Sequence, residues 1–112
     1  MNLEVNFPDA KTIKSTISNH QLLGKSDYQQ KGITQAVAEL AAERFTNCQM
    51  YELEIGTRAM LIVDDLRSSE DSVTRSPLPD FRRLGLSDGD WVEISEAIEQ
   101  VLLNCAAMAN NQ

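Results

Sequence analysis

The segment Tyr51-Glu-Leu-Glu-Ile-Gly-Thr-Arg-Ala-Met-Leu-Ile-Val63 is the most apolar and most β-prone part of the chain. Gly56 and Thr57 separate a first run, Tyr51 to Ile55, in which apolar and acidic side chains alternate, from a second run, Ala59 to Val63, that is entirely apolar. Glycine as the first residue of a two-residue loop suits a type II′ turn, whose twist matches that of the flanking strands. We therefore predict a β-hairpin over about residues 49–64, at the centre of a small antiparallel sheet.

An alternative interpretation makes the same segment one helix from Met50 to Arg67. It places Gly56 inside a helix, which costs about 1 kcal/mol relative to alanine, and it leaves the helix apolar nearly all round. In the hairpin interpretation the second strand is apolar on both faces, which is typical of a covered strand. Two strands alone are only marginally stable, so that interpretation also predicts a third strand, a helix layer or self-association.

Three helices are predicted around this segment, over about residues 9–20, 27–47 and 88–108. Apolar residues recur at helical spacing in each. Asp9 places a carboxylate near the positive end of the first helix dipole, and Ser87 is a suitable cap for the last helix. A short strand is predicted before them, because Leu3, Val5 and Phe7 alternate with polar residues. Residues 67–80 are polar and contain two prolines, which predicts a long exposed loop. The fold class is therefore α+β, with residues 1–112 forming a single domain.

Composition limits the function. The chain carries 10 basic and 17 acidic residues, a formal net charge of −7, which argues against direct nucleic-acid binding. No apolar run approaches the roughly 20 residues of a membrane span, and the N-terminal residues do not resemble a signal peptide. We expect a cytoplasmic protein that does not bind membranes. Cys48 and Cys105 are expected to be reduced, buried thiols, and no cofactor is expected.

Asp64 and Asp65 follow the apolar run Met60-Leu-Ile-Val63. Carboxylates at the carboxyl end of a strand hold Mg²⁺ in several phosphate-handling folds, and the string resembles a Walker B strand and the first strand of response-regulator receivers. The phosphate-binding loop that accompanies a Walker B strand is absent from the sequence. A Mg²⁺-dependent enzyme is therefore an alternative function, and two surface carboxylates that end a strand are the simpler interpretation. No catalytic residue is assigned.

Arginines concentrate in one region. Arg75, Arg82 and Arg83 surround Ser76-Pro-Leu-Pro79 and could bind a carboxylate or phosphate of a partner. Phe81 and Trp91 are the aromatic residues closest to them in sequence. These five residues are the predicted partner-binding site.

The leading functional hypothesis is a small acidic protein-interaction module without catalytic activity, such as an adaptor, inhibitor, immunity protein or secretion chaperone. We expect it to bind a protein partner and to form a homo-oligomer, such as a homodimer. A second hypothesis is an acidic nucleic-acid mimic that blocks a DNA-binding protein. Its anionic row lies on the last predicted helix and consists of Asp88, Asp90, Glu93, Glu96 and Glu99.

Overall fold

A computed structural model describes residues 3–20, 27–67 and 86–110, and the side chains of 27–31 and 110 are outside that description. Within these ranges the chain forms two short strands and four helices. They are β1 (Glu4–Asn6), α1 (Ala10–Ser18), α2 (Asp27–Phe45), β2 (Gln49–Tyr51), α3 (Glu52–Arg67) and α4 (Asp88–Asn110). The predicted α+β class, with a small antiparallel sheet and surrounding helices, is confirmed. The three helices predicted at 9–20, 27–47 and 88–108 are also confirmed, as α1, α2 and α4.

The predicted hairpin is wrong, because Glu52–Arg67 is a continuous helix. The alternative interpretation as one helix is correct, with a start at Glu52 instead of Met50. Residues buried in α3 recur at intervals of three and four, which is the spacing of one helix face; they are Ile55, Ala59, Ile62, Val63 and Leu66. Packing of this face outweighs both the β-propensity of its branched residues and the cost of Gly56. Glu52 and Glu54 in the first turn favour the helix further by opposing its dipole.

The sheet pairs β1 with β2 in antiparallel register, with Val5 opposite Met50. The ladder continues beyond both strands: the Phe7 amide donates to the Cys48 carbonyl at 2.8 Å, and the Glu52 amide donates to the Leu3 carbonyl at 2.6 Å. The strand predicted near the N-terminus is thus confirmed. The sheet is two-stranded within the described residues, and only residues 49–51 of the predicted hairpin belong to it.

The connection between α2 and β2 explains why α2 ends before the predicted residue 47. Asn47 has a φ of 56°, in the left-handed region that asparagine tolerates better than most residues. Its amide donates to the Pro8 carbonyl at 3.0 Å, and the Cys48 amide donates to the Phe45 carbonyl at 2.9 Å. These bonds end the helix and direct the chain into β2 beside β1.

The core lies between two helix pairs, α1 with α2 and α3 with α4, and α4 also contacts α1 and β1. Phe7 reaches it from the end of β1, where its ring centroid lies 4.9 Å from that of Phe45. The fully buried side chains of the core are all apolar; the largest are Phe45, Ile13, Ile17, Ile33, Ile55, Ile62, Leu66, Ile94, Ile98 and Leu102. All six elements therefore contribute to, or border, one hydrophobic core.

Replacement of Gly56 by alanine distinguishes the helix from a hairpin. A Cβ at Gly56 would lie 3.4 Å from the Glu99 carboxylate, an ordinary contact with the end of a flexible side chain. We expect Gly56→Ala to raise the free energy of unfolding by up to about 1 kcal/mol, measured by urea denaturation with circular dichroism. Gly32→Ala in α2 is the matched control, because a Cβ there meets nothing within 4 Å. Destabilisation by Gly56→Ala alone would indicate a turn at position 56.

Candidate protein-interaction surface

The outer side of α3 carries large apolar side chains exposed to solvent. Successive helical residues are rotated by about 100°, which places five positions within an arc of about 100° opposite the buried face of α3. We call these residues the α3 surface: Leu53, Thr57, Met60, Leu61 and Asp64. Leu53 is 74% exposed, Met60 61% and Leu61 46%. α3 therefore has apolar residues on two opposite sides, one that faces the core and one that faces solvent.

The outer sides of the other helices are more polar. In α1 the exposed residues are lysines and serines, and in the part of α2 from 32 to 45 they are Gln35, Glu39 and Glu43. α4 exposes two large apolar side chains, Val92 and Met108, but these are separated by 16 positions. Among the described side chains, the exposed large apolar residues are therefore concentrated in α3, and Tyr51, two residues before Leu53 in the sequence, is also 46% exposed. Clusters of exposed apolar residues are typical of binding surfaces.

Two ion pairs hold α3 against its neighbours. On one side of α3, the Arg44 guanidinium of α2 forms an ion pair with the Asp65 carboxylate. On the other side, Arg67 Nη2 lies 2.7 Å from Asp88 Oδ1 at the start of α4. Glu54 and Arg58 are exposed and lie one turn apart, on the same flank of the α3 surface as Leu61. Burial of the opposite face turns the α3 surface away from the core, and the flank that carries Glu54 and Arg58 adds one negative and one positive side chain to it.

The structure places one of the five predicted partner-binding residues. Arg75, Phe81, Arg82 and Arg83 lie outside the described residues, as do residues 68–80 of the predicted loop, whereas Arg67 belongs to α3. Trp91 is only 5% exposed and packs in the core, with the Arg67 guanidinium carbon 5.8 Å from its ring centroid. Trp91 therefore supports the junction of α3 and α4 instead of offering a surface. For the four other residues the site stays a prediction.

Asp64 and Asp65 do not end a strand, which removes the geometry on which the magnesium hypothesis depends. They are adjacent residues of α3, so their side chains diverge by about 100°. Asp64 belongs to the α3 surface, and Asp65 is engaged with Arg44. Within the described ranges no three His, Cys, Asp or Glu side chains lie close enough together to hold a metal ion.

The acidic residues of α4 do not form one row. Asp88 pairs with Arg67, and Asp90 accepts a hydrogen bond from the Ser87 amide at 2.9 Å as part of the helix cap. The Glu99 carboxylate lies beside Gly56 of α3. At about 100° per residue the five acids spread over more than half of the helix circumference. The mimic hypothesis stays a prediction, and two of its five residues, Asp88 and Asp90, are already bonded within the fold.

The two cysteines are free thiols, as predicted, but they differ in burial. Cys105 is buried in α4, where burial raises the pKa of its thiol to about 11. Cys48 is half-buried and donates to the Arg44 carbonyl at 3.2 Å. The prediction of burial is therefore confirmed for Cys105 and only partly for Cys48.

Comparisons with protein-family models, with curated proteins and with solved structures find no match for this chain. Among the described helices, none combines the length and apolarity that a bilayer crossing requires. The α3 surface is therefore the feature of the molecule that points to a binding function. Sequence reasoning missed the α3 surface, although its signal was present: when 50–67 is drawn as a helix, Leu53, Met60 and Leu61 fall opposite the buried stripe.

Arg67 is expected to stabilise the α3–α4 junction through Asp88 and Trp91. Arg67→Ala should lower the free energy of unfolding by about 1 kcal/mol, because it removes an exposed ion pair and a cation–π contact. It should also change the fluorescence of Trp91, the single tryptophan. Arg58→Ala, which removes an exposed arginine of the same helix, is the control and should leave both properties nearly unchanged. Equal effects of the two variants would argue against the junction.

The raised pKa of Cys105 predicts slow alkylation in the folded protein. A pKa about two units above that of an ordinary thiol leaves about a hundredfold less thiolate near pH 8. With Cys48→Ala as background, iodoacetamide should modify Cys105 at least about a hundredfold more slowly in buffer than in concentrated urea. Mass spectrometry follows the reaction. Similar rates in the two solvents would contradict the burial of the thiol.

Proposed function

We propose that this chain is a small cytoplasmic protein-interaction module without catalytic activity, and that it binds a protein partner through the α3 surface. One observation carries the proposal: three large apolar side chains, Leu53, Met60 and Leu61, are exposed together on one helix face. Fully burying such a side chain contributes about 1.5–3 kcal/mol. Even partial burial of all three against a partner therefore provides a substantial part of a micromolar affinity.

Charge favours a protein over other macromolecules as the partner. The net charge of −7 opposes binding to nucleic acid and to anionic membranes, whose surfaces are also negative. The margin of the α3 surface carries both signs, with Glu54 and Arg58 one turn apart. An apolar centre with a mixed charged rim is the usual composition of a protein interface.

The residues around α3 support binding more than chemistry. Asp65 and Arg67 are engaged in ion pairs with Arg44 and Asp88. Asp64, the one carboxylate among the five residues of the α3 surface, is exposed to solvent. A surface that contributes apolar contact and a few charges can discriminate between partners without catalysing a reaction.

Site-specific photocrosslinking tests the proposal. A benzophenone side chain replaces Leu53 or Met60 in cells that produce the protein, and the control replaces Val92 of α4, which is similarly exposed at 57%. We expect discrete protein adducts from positions 53 and 60 and none from position 92, because the partner lies over α3. Adducts are identified by mass spectrometry. Equal yields at all three positions, or none at 53 and 60, would contradict the proposal.

A further inference from the structure

The charges around the α3 surface are arranged so that two copies of it complement each other. We propose that the occupant of this surface is a second copy of the chain, bound through an antiparallel two-fold contact between the two α3 helices. This inference rests on the proposed function, because it uses the same surface. It is independent of the hairpin interpretation, in which a strand that is apolar on both faces predicted self-association.

The apolar residues fit this arrangement. A two-fold axis beside Thr57 pairs positions whose numbers sum to 114, so that Leu53 of each copy lies at the height of Leu61 of the second copy. Met60 of the second copy is one residue further along, a displacement of about 1.5 Å. Leu53 and Met60 lie on the same side of Thr57, so Met60 of the second copy would cover each Leu53, which is 74% exposed in the single chain.

The charges select the antiparallel orientation. A two-fold axis perpendicular to the helices brings the same flank of both copies together, so Glu54 of one copy meets Arg58 of the other. Their heights differ by two residues, about 3 Å, which long side chains can span. The contact occurs twice, because the interface is isologous. In a parallel pair, Asp64 would instead face Asp64 of the second copy, whereas the antiparallel arrangement separates these carboxylates by about 21 Å along the axis.

The size of the contact sets the expected affinity. α3 has 16 residues and is about 24 Å long. One face of such a helix buries less than the roughly 800 Å² per partner of a standard interface. We therefore expect a dissociation constant in the micromolar range. Sedimentation velocity tests this, with chain concentrations from a few micromolar to several hundred micromolar.

Charge exchange provides the decisive test. Glu54→Arg places two arginines together at each contact, and Arg58→Glu places two glutamates together, so each variant alone should dimerise at least about tenfold more weakly than the parent chain. An equimolar mixture of the two variants should form heterodimers, because every contact then joins opposite charges. Both positions are exposed, and unfolding curves verify that each variant remains folded.

A second pair of variants tests the apolar contact. Leu53→Glu should raise the dissociation constant at least about tenfold, whereas Val92→Glu on the outer side of α4 should leave it unchanged. A monomer at every concentration, or a mixture that dimerises no better than its components, would overturn self-association. If positions 53 and 60 then still crosslink to a different protein, the proposed function stands without the second copy. If they crosslink to nothing, both proposals fail.

Discussion

Burial of one face of α3 is the constraint on which the rest of the structure depends. Ile55, Ala59 and Ile62 are fully buried, and α4 covers this face with a stripe of its own. The buried residues of α3 share one face only if residues 52–67 are helical, because in a strand Ile55 and Ala59 would lie on the face opposite Ile62. Once α3 is a helix, the sheet is limited to three residues in each strand. The remaining stability must come from helix packing around one apolar core.

Polar contacts adjust the orientation of α3 within that packing. The ion pairs of Arg44 with Asp65 and of Arg67 with Asp88 involve side chains that are one third or more exposed, so each contributes little to stability. Their value is geometric, because they link α3 to α2 on one side and to α4 on the other. The guanidinium of Arg67 also covers the edge of the core above Trp91. These contacts lie at the edges of the buried face of α3, whose packing decides which side of the helix is left in solvent.

The proposed function follows from that remaining side. A helix that is apolar only toward the core needs no partner, whereas α3 also exposes Leu53, Met60 and Leu61. Exposure of such residues costs solubility, and a contact that covers them removes the cost. The opposite charges of Glu54 and Arg58 make a second copy a suitable occupant, because a two-fold operation brings each to its complement. The proposals for binding and for self-association therefore use one surface and differ only in the partner.

Local signals, chiefly the spacing of apolar residues and the residues at helix starts, predict the α+β class, the N-terminal strand and the positions of α1, α2 and α4. The sequence by itself did not determine the state of residues 52–67. There, the β-branched residues and Gly56 favoured a hairpin, while the spacing of Ile55, Ala59 and Ile62 favoured a helix. Local energies of this kind differ by about 1 kcal/mol. Only the tertiary structure decided between them, because burial of the whole stripe against α4 outweighs such differences, and the same packing decided which apolar residues of α3 stayed at the surface.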